Sequence, residues 1–347
     1  FYGVKILKAM ILTAGKGTRL APLTDDCPKP LFPVGDRPVI TYLFDLLKQY
    51  GIKEIVLNVH HLGDQIRETL GDGSRFSVHL SYSPEEKLLG TGGGVRKASR
   101  FWGNEDVLVI NGDNLLEINL GKLILYHQAS EAVATMALKP LGAHSDYTPI
   151  YLDKDSNVDA IGGKERATPG YAFIGAQVLS PACLDYLPAS GPSCLIRDGY
   201  KKVIGSRKNN ERVSGFITTG YWREISTFPL YWGTNLDFLR GRLPAYFYRW
   251  REVFTRRGLH VGKGCKLGPR VSFNSPVYLG DGCRIGEGCV LGSGLLAGAG
   301  STIGEKCRLQ EVVIWPGTSV RKGSKLQNII IAPFGKIPVG PDGPVGA

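Results

Sequence analysis

The hydrophobic pattern changes its period once along this chain, near residue 260. Before that point, short apolar runs alternate with segments of helical spacing. Ala9-Met-Ile-Leu12, Glu54-Ile-Val-Leu-Asn-Val59 and Val107-Leu-Val-Ile110 are short and apolar enough to read as buried strands. Between the first two, Val39, Tyr42, Leu43, Leu46, Leu47 and Tyr50 recur on one helical face. Asp36 is the expected cap of that helix, with Pro38 in its first turn and Gly51 ending it. Strands alternating with helices predict an α/β domain whose mostly parallel sheet is covered on both faces. Ligands of such sheets bind beyond the carboxyl ends of the strands. The glycines at 15 and 17 and the turn Asn111-Gly112-Asp113 both fall at such ends. Trp222 to Arg240 reads as a strand end followed by a closing helix.

After residue 260 the period becomes six. Val261, Leu267, Phe273, Leu279, Ile285, Leu291, Ala297, Ile303, Leu309 and Trp315 form one column, and glycine follows seven of these ten. Four positions on, the column reads Cys265, Val271, Val277, Cys283, Cys289, Leu295, Ser301, Cys307, Val313 and Ser319. A hexad of this kind predicts a β-helix, one short strand and one turn per repeat. The cysteines then stack inward as small hydrophobes. The expected organisation is a catalytic-size domain over 1–240, a basic connecting helix over 241–260, a small parallel β-helix over 261–335 and a flexible tail over 336–347.

Length agrees with more than one core, since 347 residues exceed what a single core usually serves. No apolar run is long enough to span a membrane. The N-terminus lacks the order of a signal peptide, so cytoplasm is the expected location. A net charge of +11 favours anionic partners. Its densest cluster, from Arg240 to Arg270 through Arg249, Arg251, Arg256 and Arg257, reads as the solvated face of the connector. No zinc-finger or RNA-recognition signature accompanies it, so nucleic acid is not the expected partner. The seven cysteines form no CxxC pair, and a zinc site is not expected. Asp153-Lys-Asp-Ser-Asn157 has the spacing of a calcium loop. Val158 stands where its glycine belongs and Lys164 where its glutamate belongs, so a hairpin turn is expected instead.

Generic nucleotide fingerprints are absent. Gly15-Lys-Gly-Thr-Arg-Leu20 lacks the third glycine of GxGxxG, and no GxxxxGK[ST] occurs. Arg19, however, falls where a guanidinium can fold over phosphates cradled by backbone N–H groups. Lys29 stands between Pro28 and Pro30, which suits a point charge needed in one place.

Leu12-Thr-Ala-Gly-Lys-Gly-Thr-Arg-Leu-Ala-Pro-Leu-Thr24 with Lys29-Pro-Leu-Phe-Pro-Val34 resembles the signature of the sugar-1-phosphate nucleotidyltransferases. Leu89-Gly-Thr-Gly-Gly-Gly94 resembles their second nucleotide loop, Asn111-Gly-Asp113 their metal-binding strand end, and Gly220-Tyr-Trp-Arg-Glu-Ile-Ser-Thr227 their late metal motif. The likeness covers 9–240, and the tail resembles the left-handed β-helix of hexapeptide-repeat proteins. It implies a Rossmann-like domain that joins an NTP and a sugar 1-phosphate with Mg2+. Leu12, Ala14 and Gly15 would lie at the base and ribose, Gly17 and Thr18 at the phosphates, and Leu89, Gly90 and Thr91 at the border of the base. Glu85 or Glu86 would read the base edge. Arg19 would neutralise the departing pyrophosphate, and Lys29 would bridge the α-phosphate and the incoming sugar phosphate. Asp113 would hold the metal with Glu224. Gly112, Glu165, Arg166 and Gly175 would line the sugar-phosphate pocket. Two departures stand out. Glu224 and Ser226 replace the family's usual aspartate and glycine, and its Tyr-Gly in the sugar pocket is replaced near Tyr147-Thr148.

Within the family, the β-helix and the Leu-Gly-Thr start of the 89–94 segment resemble GTP-dependent enzymes acting on mannose-1-phosphate or a manno-heptose 1-phosphate. Leu70-Gly-Asp-Gly-Ser-Arg-Phe76 and the three glycines at 92–94 resemble uridylyltransferases for N-acetylmuramate-1-phosphate, a group that usually stops before any β-helix. Thymidylyl or uridylyl transfer to glucose-1-phosphate is the third reading. A hexapeptide acyltransferase is disfavoured, because of the six histidines (His60, His61, His79, His127, His144, His260) only His260 borders the repeats. A non-catalytic regulatory homologue stays open through the Glu224 and Ser226 departures. Exposed coils of this kind often self-associate, so a homo-oligomer is expected.

Overall fold

Lys8–Leu12 (β1) is buried along nearly its whole length, which its apolar run requires. It lies parallel between Glu54–Val59 (β2) and Val107–Asn111 (β4), and His79–Pro84 (β3) continues the parallel order beyond β2. On the other side Tyr171–Leu179 (β8) runs antiparallel to β4 and to Ala134–Pro140 (β5). Ile150–Leu152 (β6) and Val158–Ile161 (β7) form a hairpin at that edge, and Val213–Ile217 (β9) runs parallel to β5. The result is a nine-stranded mixed sheet, parallel around β1 as the apolar runs predict. The hairpin turn at 153–157 is closed by the Asp153 side chain, which accepts from the N–H groups of Asp155 and Asn157 at 2.9 and 2.8 Å.

This computed structural model describes residues 8–142, 146–163, 168–206, 211–244 and 258–339. The chain divides into two units that do not follow chain order: 1–16 with 40–222, and 17–39 with 223–347. Most of the basic connector and of the tail lies outside the described residues. Arg240 and Arg242, at its start, are paired with Glu311 and Asp237. No described helix is long and apolar enough to cross a membrane.

In the first unit, the expected amphipathic helix is Ile40–Gln49 (α1), and Gly51 with φ 74° follows it. Asp36 does not cap it. Pro33–Val34, in the second unit, pairs antiparallel with Arg37–Pro38, so a tight hairpin takes up the residues assigned to the first turn. Leu120–Ser130 (α3) is capped by Asn119, whose side chain accepts from the Lys122 N–H at 2.9 Å. Its His127 is 3% exposed and hydrogen-bonded through Nδ1 to Thr135 Oγ1 at 2.8 Å. Burial lowers its pKa from the ordinary 6.5, and Asp106 opposes this only in part. A base with a depressed folded pKa binds fewer protons than the unfolded chain, so stability is lost as pH falls below about 6.5. The urea midpoint should therefore drop between pH 7.5 and pH 5, and His127→Gln should flatten that drop.

In the second unit the parallel β-helix is present with three faces. One stacks Leu259–Val261, Val277–Leu279 and Leu295–Ala297; a second stacks Lys266–Leu267, Arg284–Ile285, Thr302–Ile303 and Ser319–Val320. The third carries Ser272–Phe273 and Val290–Leu291, and the longer strands Arg308–Ile314 and Lys325–Ala332 run across both the third face and the first. Cys283, Cys289 and Cys307 are fully buried free thiols in its core. Burial pushes the Cys283 thiol up to about 11. A protonated, enclosed thiol packs as a small apolar group.

The period of six holds only as far as Leu309. Leu291 pairs with Leu309, 18 residues on, but Ala297 pairs with Ile314, 17 on. Glu311, with φ 51°, turns a corner that two residues turn in the coil below. The inward positions are thus Val312 and Ile314, not Val313 and Trp315, and Ser319 likewise leaves its column, where Thr318 takes over. Gly335–Pro338 then folds back antiparallel on Lys325–Ala332.

Also in the second unit, Phe228–Leu239 (α4) is the expected closing helix. Thr227 caps it and Pro229 lies in its first turn. Trp232 Nε1 donates to the Glu311 carbonyl at 3.0 Å, and Arg240 reaches the Glu311 carboxylate at 2.8 Å. The helix therefore docks on the shortened corner.

Candidate active site

In the first unit the end of β1 is built into its neighbours by one buried asparagine. Asn58 Oδ1 accepts from the Thr13 N–H at 2.8 Å, and the Asn58 carbonyl accepts from the Thr13 hydroxyl. Asn58 Nδ2 donates to Glu85 Oε1 at 2.8 Å, and Glu85 Oε2 accepts from the Leu89 N–H at 2.8 Å. Asn58 is 3% exposed and Glu85 5%. This relay fixes the 13–15 turn relative to the segment starting at Leu89. Glu85 thus has both carboxylate oxygens engaged inside the protein, whereas Glu86 is exposed. Asn58→Leu would leave the Thr13 N–H and Glu85 Oε1 without a partner. At about 1–3 kcal/mol for each buried orphan, it should cost roughly 2–6 kcal/mol, read from the urea midpoint.

Leu89–Gly94 is less a loop than a helix start, because Gly90–Ala98 (α2) is helical. Its glycines are demanded by packing. A Cβ on Gly92 would sit 2.8 Å from Ser193 Oγ, on Gly93 2.7 Å from the Gly191 carbonyl, and on Gly94 2.9 Å from both Asn58 Nδ2 and Glu85 Oε1. Gly90, at φ 69°, faces the Ser193 carbonyl at 2.6 Å in the same sense. Thr91 is exposed, and its hydroxyl accepts from the Leu195 N–H at 2.9 Å. The 191–195 segment therefore braces this helix start, a role that no local sequence signal announces.

Gly15 is the opposite case. It is exposed, its φ is not positive, and a Cβ there would meet nothing within 4 Å. The protein's own packing does not require glycine at this position, whereas a closely approaching ligand would. Ala14 beside it is buried.

At the end of β4, the Gly112 N–H donates to the Leu12 carbonyl at 3.0 Å, and a Cβ on Gly112 would lie 2.8 Å from that oxygen. Asp113 follows, half-buried. Gly175, at φ 79°, sits in the β-bulge of β8 between Phe173 and Gln177, against the side chains of Asn111 and Asn114. Asn114 Oδ1 accepts from Trp222 Nε1 at 3.0 Å, and the Trp222 ring lies 4.7 Å from that of Tyr147. Tyr147 and Trp222 therefore form an aromatic pair beside Asn114. Glu165 and Arg166 lie outside the described residues.

In the second unit Gly17 takes the left-handed conformation (φ 64°) that opens the short turn Thr18–Leu20. Its carbonyl accepts from the Thr24 hydroxyl at 3.2 Å. Thr18 and Arg19 are exposed. The Arg19 guanidinium lies 3.7 Å from the Glu224 carboxylate, with the side chains 56% and 23% exposed. Lys29 opens a single turn, Lys29–Leu31, bounded by Pro28 and containing Pro30. The Leu31 and Phe32 N–H groups close it on the carbonyls of Pro28 and Lys29 at 2.8 and 3.0 Å.

Comparison with known proteins identifies the family. The family described as nucleotidyl transferase matches residues 8–241, and the bacterial transferase hexapeptide (six repeats) family matches 258–293. The chain belongs to the nucleotidyl transferase family and carries a hexapeptide-repeat segment after its α/β domain. A UTP–glucose-1-phosphate uridylyltransferase of Synechocystis is 30% identical over 307 residues, covering 79% of this chain and 74% of its own. A mannose-1-phosphate guanylyltransferase of Mycobacterium tuberculosis is 27% identical over 284 residues, with 78% and 79% covered. Among solved structures, HddC from Yersinia pseudotuberculosis complexed with GMP-PN superposes with a TM-score of 0.58 at 24% identity, over 67% of this chain and all of that one. That last likeness concerns the fold.

Proposed function

We propose that the chain transfers a nucleoside monophosphate from an NTP, most readily GTP, to a sugar 1-phosphate of the mannose or manno-heptose type, releasing pyrophosphate. The observation that carries the reading is the pairing of an open Gly15 with a buried Thr13–Asn58–Glu85–Leu89 relay. The relay fixes two backbone segments, and the glycine leaves free space where one of them reaches the surface. Membership of the nucleotidyl transferase family supports the chemistry, and the guanylyl relative, matched over 79% of its length, supports the base. The uridylyl relative favours a second reading, UTP with glucose 1-phosphate.

The reaction needs no protein nucleophile. A sugar-phosphate oxygen attacks the α-phosphorus in line while pyrophosphate leaves, and the reactants are mutually repelling anions. Positioning and charge neutralisation therefore supply most of the rate. Arg19 takes the leaving pyrophosphate, and Lys29 the α-phosphate and the incoming phosphate. Leu12, Ala14, Gly15, Leu89, Gly90 and Thr91 border the nucleoside, with Gly17 and Thr18 at the phosphates. Glu85 acts by holding Leu89. Gly112, Gly175, Glu165 and Arg166 serve the sugar phosphate.

The donor chemistry fits Mg2+. Asp113 and Glu224 offer hard carboxylate oxygens, and among the described residues no group of three or more His, Cys, Asp or Glu forms a closed metal cage. Mg2+ is typically held by one or two carboxylates together with substrate phosphates. Bound there, it would supply positive charge to the phosphates.

Pyrophosphate release over a grid of four NTPs and several sugar 1-phosphates, with acyl-CoA consumption in parallel wells, tests the proposal. Turnover with GTP and mannose or manno-heptose 1-phosphate is the expected result. Turnover confined to UTP with glucose 1-phosphate would establish the second reading, and silence across the grid would leave a binding protein.

A further inference from the structure

The one-residue shortening at Glu311 moves Trp315 out of the β-helix core. It occupies the position after the inward residue Ile314, where the coil below has Gly298. Its ring is nevertheless 5% exposed, because it packs edge-on against Phe32 with centroids 5.0 Å apart and planes at 71°. Tyr231 of α4 lies 6.3 Å from Trp315 and 5.2 Å from Phe32. Phe334 closes the cluster at 5.5 Å from Trp315. Phe32 and Tyr231 are fully buried.

Phe32 is the residue whose N–H closes the Lys29 turn. The strand after it is held from the same side: the Tyr231 hydroxyl donates to the Pro33 carbonyl at 2.7 Å, and the Gly35 N–H donates to Asn235 Oδ1 at 3.0 Å. All of these residues belong to the second unit. Resting on the function proposed above, we infer that Trp315 is a positioning residue for Lys29: a hexapeptide-repeat side chain that sets the turn from which the lysine projects. The β-helix is then a part of the reaction's alignment and not an appended module. Edge-to-face aromatic pairs are directional, and alignment errors near 1 Å are costly when catalysis rests on placement.

The test uses the full chain. Trp315→Leu keeps an apolar side chain and removes the ring, and Trp315→Phe restores a ring. Trp315→Leu should lower kcat for pyrophosphate release roughly 10-fold with little change in KM for the NTP, and Trp315→Phe should recover most of it. In a Lys29→Ala background, Trp315→Leu should cost almost nothing further, since two residues acting through one group are not additive. Hydrogen exchange gives a readout independent of turnover. The Leu31 and Phe32 amides should lose protection in Trp315→Leu, while amides of β1 and β2 keep theirs. An equal loss of kcat in both backgrounds, or unaltered exchange at Leu31 and Phe32, overturns the inference. An inactive wild type overturns the transfer reading instead, and exchange still decides whether Trp315 holds the turn.

Discussion

Asp113→Asn should lower kcat/KM for pyrophosphate release by roughly 10²-fold or more, the scale on which a fixed charge-stabilising group acts. The substitution changes one oxygen to nitrogen and little else. Asp113 follows Gly112, whose backbone is pinned to the Leu12 carbonyl and has no room for a side chain. The backbone before it is therefore fixed, and Asn should occupy the same place without the charge. A drop of 10² corresponds to about 2.7 kcal/mol of transition-state stabilisation. Raising Mg2+ should restore part of the rate if the lost function is metal affinity. Near-normal kcat/KM would remove Asp113 from the metal site.

Lys29→Ala should cost a similar factor, for a different reason. The turn that carries it is defined by two prolines and two backbone hydrogen bonds, none of which involves the lysine side chain. The turn should survive truncation, so the loss would report the ammonium group and not a collapsed loop. An ammonium is a compact point charge, whereas a guanidinium is a planar fork. Lys29→Arg should therefore recover only a minor part of the rate. Both variants are read as kcat/KM ratios, because KM alone mixes binding with turnover. Unchanged activity in Lys29→Ala would strip the residue of its assigned role.

The parts of the structure that were legible from sequence are those carried by local pattern. The apolar runs at 9–12, 54–59 and 107–110 became β1, β2 and β4, and the helix over 39–50 was located from its face. The motifs at 12–34, 89–94, 111–113 and 220–227 placed the family. What escaped was set by long-range pairing. Asn58 is the one amide among the buried positions of its strand, yet its three partner atoms come from residues 13 and 85. The brace at 191–195 has no pattern of its own, because backbone groups and a lone serine make its contacts. The helix start at Ile40 was misplaced because a proline suits a first turn and a hairpin equally well. The slip at Glu311 was hidden by composition. Val312, Val313, Ile314 and Trp315 are all apolar, so a column read in sixes passes through them without signalling that one residue is missing.

The reversal at Gly335–Pro338 bears on strand addition at one edge of the solenoid. A stack of parallel coils ends in a row of backbone donors and acceptors, which is a template for further strands from other chains. Folding the strand Gly335–Pro338 back on Ile329–Ala332 occupies part of that row with the chain's own hydrogen bonds. Its residues include Lys336, a charge of the sort that discourages edge recruitment, and Pro338, which has no N–H to offer. Over Ile329–Ala332 the edge of the solenoid is thereby covered by the chain's own strand, which disfavours strand addition at that stretch.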